Sequence, residues 1–193
     1  MGRIVVSEFV SLDGVMEDPG GAEGFKHGGW TFKFNRGKDG DKFKLDETKA
    51  AEALLLGRVT YEGFAAAWPT MGGDEFSDKF NSMPKYVVSS TLEKAGWNNS
   101  TILKGDAVKE VSKLRQRLDG EILVNGSAQL VQTLVANDLV DELRLMVFPV
   151  VLGGGKRLFG EASDMKRLRL ADSKTVGDGV AILVYKPDTN ETK

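Results

Sequence analysis

Residues 121–134 read EILVNGSAQLVQTL: an apolar run, a break at Asn125-Gly126-Ser127, then apolar residues again at helical spacing. A strand that passes into a helix after three residues cannot be one arm of a tight hairpin. The chain has to cross over before it pairs again, and crossovers build parallel sheets. The same alternation runs along most of the sequence. RIVVSEFV, residues 3–10, is rich in β-branched residues and reads as a first strand, closed by the turn SLDG. A helical pattern covers about 41–53, ALLLG is a short strand ending at Gly57, and RVTYEGFAAAW is helical up to Pro69. A short helix near DEFSDKF and strands in KYVVSS and STILKG follow. DAVKEVSKLRQRL is an amphipathic helix with Asp106 placed to cap it and Val108, Val111, Leu114 and Leu118 on one face. Beyond the corner, Leu130, Val131, Leu134 and Val135 line one side of a helix. DELRLMVFPVVLGGG reads as one long strand, and RLRLADSKTVGDGVAILVYK as a hairpin turning at Gly177-Asp178-Gly179. The expected fold is α/β. It has a mostly parallel twisted sheet with helices on both faces and a C-terminal antiparallel hairpin, in one domain over residues 1–193.

Composition narrows the chemistry. With 26 Lys+Arg against 28 Asp+Glu there is no basic excess to recruit nucleic acid. The chain has no cysteine and one histidine, His27, so disulfides, thiolate nucleophiles and multi-histidine metal sites are out. No apolar run approaches the roughly 20 residues of a membrane span, and the N-terminal apolar stretch is too short for a signal peptide. A cytoplasmic protein that binds no membrane is the expectation.

Ligands of open α/β sheets gather beyond the carboxyl ends of the strands. Four segments end a strand in a polar or glycine-rich turn here: residues 11–14, 57–60, 89–91 and 125–129. Taken singly, each is ordinary turn chemistry. Together they supply backbone amides, hydroxyls and the Arg58 guanidinium, the donors a dinucleotide with a 2′-phosphate needs. The corner at Gly126 has two readings, close packing or an anion seat formed by amides and a helix N-terminus. A G-x-G-x-x-G fingerprint is missing, which argues against an ordinary Rossmann site. Gly153-Gly154-Gly155-Lys156-Arg157 lacks P-loop spacing and reads as a flexible turn after the long strand.

FVSLDGVME, ALLLGRVTYEGFAAAWP, YVVSSTL and ILVNGSAQLVQTLVANDLVDELRLMVFPVVLGGGKRLF together resemble the dihydrofolate reductase-like superfamily. The nearer resemblance is to stand-alone proteins similar to the reductase (C-terminal) domain of the bacterial riboflavin-biosynthesis deaminase/reductase. It runs from about residue 3 to 186. The resemblance implies the dihydrofolate reductase-like three-layer fold, NADPH as hydride donor, a small-molecule substrate and a homodimer. Carried over by position, Gly57, Arg58 and Thr60 meet the cofactor phosphates, with Arg58 reading the 2′-phosphate. Ser89, Ser90 and Thr91 lie along the adenosine half. Asn125, Gly126, Ser127, Ala128 and Gln129 form the pyrophosphate corner. Asp13 and Gly14 fall beside the nicotinamide and substrate.

Two departures stand out. The riboflavin enzymes have Glu-Gly-Gly at the corner, whereas this chain has the neutral Asn125 followed by Gly126-Ser127. The carboxylate that dihydrofolate reductases carry on the preceding helix falls in a region holding Asp41, Asp46 and Glu47, all of which have solvated helix-start acids as their alternative reading. The candidate catalytic groups are Asp13 and Glu47, and Trp30 and Phe34 are candidate substrate walls. Trp68 reads as core and His27 as an exposed loop residue. The implied activity is hydride transfer from NADPH to a flat heterocycle, of the type that reduces 5-amino-6-(5-phosphoribosylamino)uracil or dihydrofolate. The alternative is a non-catalytic, nucleotide-binding dimeric module on the same fold.

Overall fold

In β1 (Arg3–Ser11) successive side chains serve two different cores: Ile4, Val6 and Val10 pack on one side, Val5 on the other. This is the period-two signature of a strand covered on both faces. The computed structural model describes residues 1–160 and 164–188. Around β1 it assembles β2 (Ala51–Gly57), β3 (Lys85–Val88), β4 (Ser100–Leu103), β5 (Glu121–Val124), β6 (Glu142–Phe148), β7 (Leu168–Val176) and β8 (Val180–Pro187). The sheet order is β4-β3-β2-β5-β1-β6-β8-β7. The first six strands run parallel, and β8 pairs antiparallel with both β6 and β7. That is the architecture expected from the alternation of elements.

Five helices cover the sheet: α1 (Gly37–Ala50), α2 (Arg58–Ala67), α3 (Glu75–Ser82), α4 (Ala107–Arg117) and α5 (Ala128–Ala136). Val111 and Leu114 of α4 and Leu130, Val131 and Leu134 of α5 pack with Ile4, Val6, Leu55 and Val124. On the other face Tyr61 of α2 and Phe80 of α3 pack with Val5, Leu54, Leu56 and Leu123. Helix α1 lies on that second face, where its Glu47 reaches Ser7. A third cluster of Trp30, Met146, Phe148, Val176, Val180 and Ile182 fills the space over β6 and β8.

Three boundaries differ from the sequence expectation. Helix α1 starts earlier and stops at Ala50, because Ala51 and Ala53 are drawn into the β2–β5 ladder; alanine's helix propensity does not announce this. The long strand ends at Phe148, because Pro149 has no amide to donate and the chain turns with the Val150 amide on the Phe148 carbonyl. The loop before α1 is organised around buried Asp18, whose carboxylate accepts the Glu23 and Phe25 amides.

Candidate functional site

The carboxyl ends of β3, β2, β5 and β1 lie side by side along one edge of the sheet. Val88 is level with Gly57, and Val124 is level with Val6. The Ser89 turn, the Gly57-Arg58 junction and the Gly126 corner therefore follow neighbouring strands, each step only about 5 Å. Helices α2 and α5 both begin at this edge.

The corner is packed too closely for side chains. The Gly57 amide donates to the Gly126 carbonyl at 3.1 Å. A Cβ on Gly57 would press on the Ser127 side chain and lie 3.0 Å from its amide nitrogen. A Cβ on Gly126, whose φ is +86°, would lie 2.7 Å from the Thr60 hydroxyl. Gly57, Thr60, Gly126 and Ser127 are thus brought into one cradle. Neither helix start has a side-chain cap, although Ser127 is of a residue type that caps well. Two helix N-termini with free amides set side by side attract an anion, each by up to about 2 kcal/mol where partly buried. The residues present fit the phosphates of a dinucleotide.

The other candidate residues follow from these strand ends and helix starts. Arg58 occupies the first turn of α2 and pairs with Glu62 at 2.8 Å, both side chains about half-exposed. An exposed i,i+4 pair of this kind contributes about 0.3–0.5 kcal/mol, so a phosphate competes for the guanidinium easily. Ser89 is buried and its hydroxyl accepts the Thr91 and Leu92 amides, which shapes the turn and leaves Ser90 and Thr91 exposed. Asn125 donates its side-chain amide to the Ser7 carbonyl at 2.8 Å, tying the corner to β1. Ala128 and Gln129 open α5, with Gln129 exposed.

Of the two candidate acids, Glu47 is the one sealed beside this edge. It is 3 % exposed, and both its oxygens lie within hydrogen-bond reach of the Ser7 hydroxyl, at 2.9 and 2.8 Å. Lys44, one turn earlier on α1, pairs with Glu47 and donates to the Ser7 hydroxyl at 3.0 Å. Glu47 also lines a groove of about 460 Å³ with Phe43, Ala50, Arg144 and Val184. The corner residues are not among those lining it.

Asp13 behaves differently. Its carboxylate accepts the Ser11 hydroxyl at 2.6 Å and the Leu152 and Gly153 amides at 3.1 and 2.9 Å. The Ser11 bond, then the amides, hold its carboxyl down at about 2. A group so stabilised as an anion is a poor proton source at neutral pH, and Asp13 is a fastener joining two loops. The same contacts correct the reading of the glycine-rich segment as a loose turn: residues 152–158 are stitched to the β1 loop, with Met16 donating to Lys156 and Leu158 to Gly14.

The aromatic expectations divide as well. Trp30 is 1 % exposed, its indole N–H on the Glu17 carbonyl at 2.8 Å and its ring edge-on to Phe148. It is core and offers no free face to a substrate. Phe34 is half-buried at the rim of the same cluster. Trp68 packs with Phe64, Phe76 and Phe80, as core. His27 is half-buried against Phe25.

Sequence reasoning passed over Ser7, Glu8 and Lys44. Their only signal was two adjacent polar residues, Ser7-Glu8, inside a strand that is otherwise apolar at its covered positions. Glu8 is 8 % exposed, and burial pushes its carboxyl up to about 8 against the opposing pull of the Gly126 amide. Among the described residues no cluster of His, Cys, Asp and Glu could hold a metal ion, and no helix is long and apolar enough to cross a membrane.

Comparison with known proteins places this geometry. The model of the RibD C-terminal domain matches residues 3–182. The uncharacterized protein YyaP of Bacillus subtilis strain 168 is 28% identical over 187 residues, covering 95% of this chain and 94% of YyaP. YwjB of the same organism is 29% identical over 173 residues, covering 90% and 91%. Among solved structures, a protein provisionally assigned to riboflavin biosynthesis from Shewanella sp. PV-4 superposes with TM-score 0.77 at 24% identity, covering 96% of this chain and 99% of that one. A dihydrofolate reductase from Enterococcus faecalis, solved with NADP(H), superposes with TM-score 0.59 at 14% identity, covering 96% of both chains. At such identities these structures establish a shared fold.

Proposed function

The chain belongs to the RibD C-terminal domain family, and on that premise we propose that it is an NADPH-dependent reductase acting on a small flat heterocycle. The observation that carries this reading is the pair of uncapped helix starts at Gly57 and Ser127, joined in one cradle at the sheet edge. The amides of residues 58–60 and 127–129 hold the pyrophosphate, Arg58 reads the 2′-phosphate, and the residues 89–91 turn supports the adenosine. NADPH when bound supplies the hydride.

The protein supplies position and the proton. The Ser7 backbone is fixed to Asn125, so the cluster of Ser7, Lys44 and Glu47 is held beside the corner. A substrate C=N or C=O nitrogen or oxygen at Ser7 takes the hydroxyl proton, and the Lys44 ammonium restores it. Glu47 keeps both partners oriented. On this reading Ser7 and Lys44 carry the proton, Glu47 holds both in place, and Asp13 has no part in the transfer. A homodimer accompanies the reading, supported by the open edge of β7, exposed from Leu168 to Thr175.

The test is titration with NADPH and NADH, read by fluorescence and by melting temperature. NADPH should bind more tightly than NADH. Arg58→Ala should weaken NADPH about tenfold and leave NADH nearly unchanged, since one charge-assisted phosphate contact is worth about 1.5 kcal/mol or more. No response to NADPH sinks the assignment; an equal loss for both cofactors removes Arg58 as the 2′-phosphate reader. A variant family of reductase substrates oxidising bound NADPH separates the enzyme from a nucleotide-binding module.

A further inference from the structure

Glu8 sits on the face of β1 opposite Ser7, level with Leu145 of β6, and next in the chain to Ser7, whose carbonyl holds the Asn125 side chain of the corner. The nearby Gly126 amide favours its ionised form, against the larger opposing effect of burial. Its Oε1 is buried and has no hydrogen-bond partner among the described residues. Its surroundings are apolar: Val6, Val10 and Leu145 belong to the core on that side, and α5 has no charged residue between Ala128 and Ala136. The charged groups that act on it come from α1, Lys44 favouring the anion and Glu47 opposing it. Those two are paired with each other, so their influence on Glu8 largely cancels.

A carboxyl with an idle oxygen, buried on the α5 face beside the corner, is poorly placed for core packing alone. We propose that Glu8 is a positioning residue for the phosphate corner, and that the corner clasps an anion only while Glu8 carries its proton. This rests on the reading of residues 57–60 and 126–129 as a phosphate site. Protonated, the side chain still accepts the Gly126 amide through its carbonyl oxygen and so holds the peptide. Ionised, it places a negative charge against the same amides and competes with the ligand for them. Burial supplies the direction: the carboxyl keeps its proton up to about pH 8, so the site is open at neutral pH and closes above it.

The experiment compares wild-type protein with Glu8→Gln, a near-isosteric side chain that keeps the acceptor and cannot ionise. Inorganic pyrophosphate and NADPH are each titrated by calorimetry from pH 6.5 to pH 9. The expected ratio of wild-type to variant Kd is close to one at pH 6.5 and about ten at pH 9, one pH unit above the Glu8 midpoint. Taking the ratio cancels the titration of the probes themselves. Identical pH profiles in the two proteins overturn the proposal, as does absence of pyrophosphate binding at pH 6.5. Binding of pyrophosphate with the expected ratio, but none of NADPH, keeps the proposal and removes the reductase reading. NADPH binding with identical profiles does the reverse. Should Glu8→Gln not fold, the wild-type protein decides the matter: with whichever probe binds, buffers of different ionisation enthalpy should reveal uptake of about three quarters of a proton at pH 8.5, corrected for the probe, and no uptake refutes it.

A melting curve of the ligand-free proteins gives an independent check. The folded-state value is raised, so the wild-type fold loses stability as pH climbs from the ordinary 4.5 through about 8, and Glu8→Gln does not. Parallel stability curves for the two proteins also count as refutation.

Discussion

At the start of α3 the Asp74 carboxylate accepts the Ser77 amide at 3.0 Å, and at the start of α4 Asp106 accepts the Lys109 amide at 2.9 Å. At the starts of α2 and α5 the corresponding positions are Gly57 and Ser127, and neither provides a side-chain cap. Among the described residues two α-helix starts are finished by a capping aspartate, α1 has its Gly37 amide on the Asn35 side chain, and α2 and α5 are left open. The open pair are the two that meet at the carboxyl edge of the parallel strands, in contact with each other through Gly57 and Gly126. An N-cap is worth about 1 kcal/mol, so two omissions together are a substantial concession in a marginally stable fold. On the proposed reading, their placement beside each other gives that concession a purpose: the amides serve the dinucleotide phosphates.

The buried charges repeat the contrast. Lys85, at the other end of the sheet, is fully buried and gives its three hydrogens to the Asn81, Met83 and Asn98 carbonyls, with the Trp97 ring 4.3 Å away. That group is complete within the protein. Glu8 is nearly as buried, yet one of its oxygens has nothing to accept from among the described residues.

The largest disturbance of this contrast is expected from Gly126→Ala. The added methyl meets the Thr60 hydroxyl and forces a left-handed φ on alanine, so the cradle has to open. NADPH affinity should fall about thirtyfold, ~2 kcal/mol, in a protein whose circular dichroism is retained. Unchanged affinity would mean that the corner packs but does not bind. The smallest expected effect on the ligand comes from Asp106→Ala at a capped helix. It should lower stability by about 1 kcal/mol in urea unfolding and leave the NADPH Kd unchanged. A change in Kd there would blur the distinction between the two classes of helix start.

Much of this was legible in the residues. Asp106 ahead of Val108, Val111, Leu114 and Leu118 announced both a helix and its cap, because capping and periodicity are local. The strand, glycine and helix of residues 121–134 announced the corner for the same reason. What escaped was fixed by distant partners. Asp13 looks like a free acid in the sequence, and the amides that make it a fastener come from Leu152 and Gly153, about 140 residues away. Trp30 lies in a polar, glycine-rich stretch, and only the arrival of Met146 and Phe148 turns it into core. Glu8 is one polar residue in an apolar strand, and only the packing of distant elements over β1 buries it.

Amide hydrogen exchange with and without saturating NADPH tests the central claim most directly, because it reads the two open and the two aspartate-capped helix starts in one experiment. New protection should appear in residues 57–60 and 126–130, with none at 74–78 or 106–110. Protection spread evenly over the four starts, or absent from the Gly57 and Gly126 segments while NADPH is bound, would contradict it.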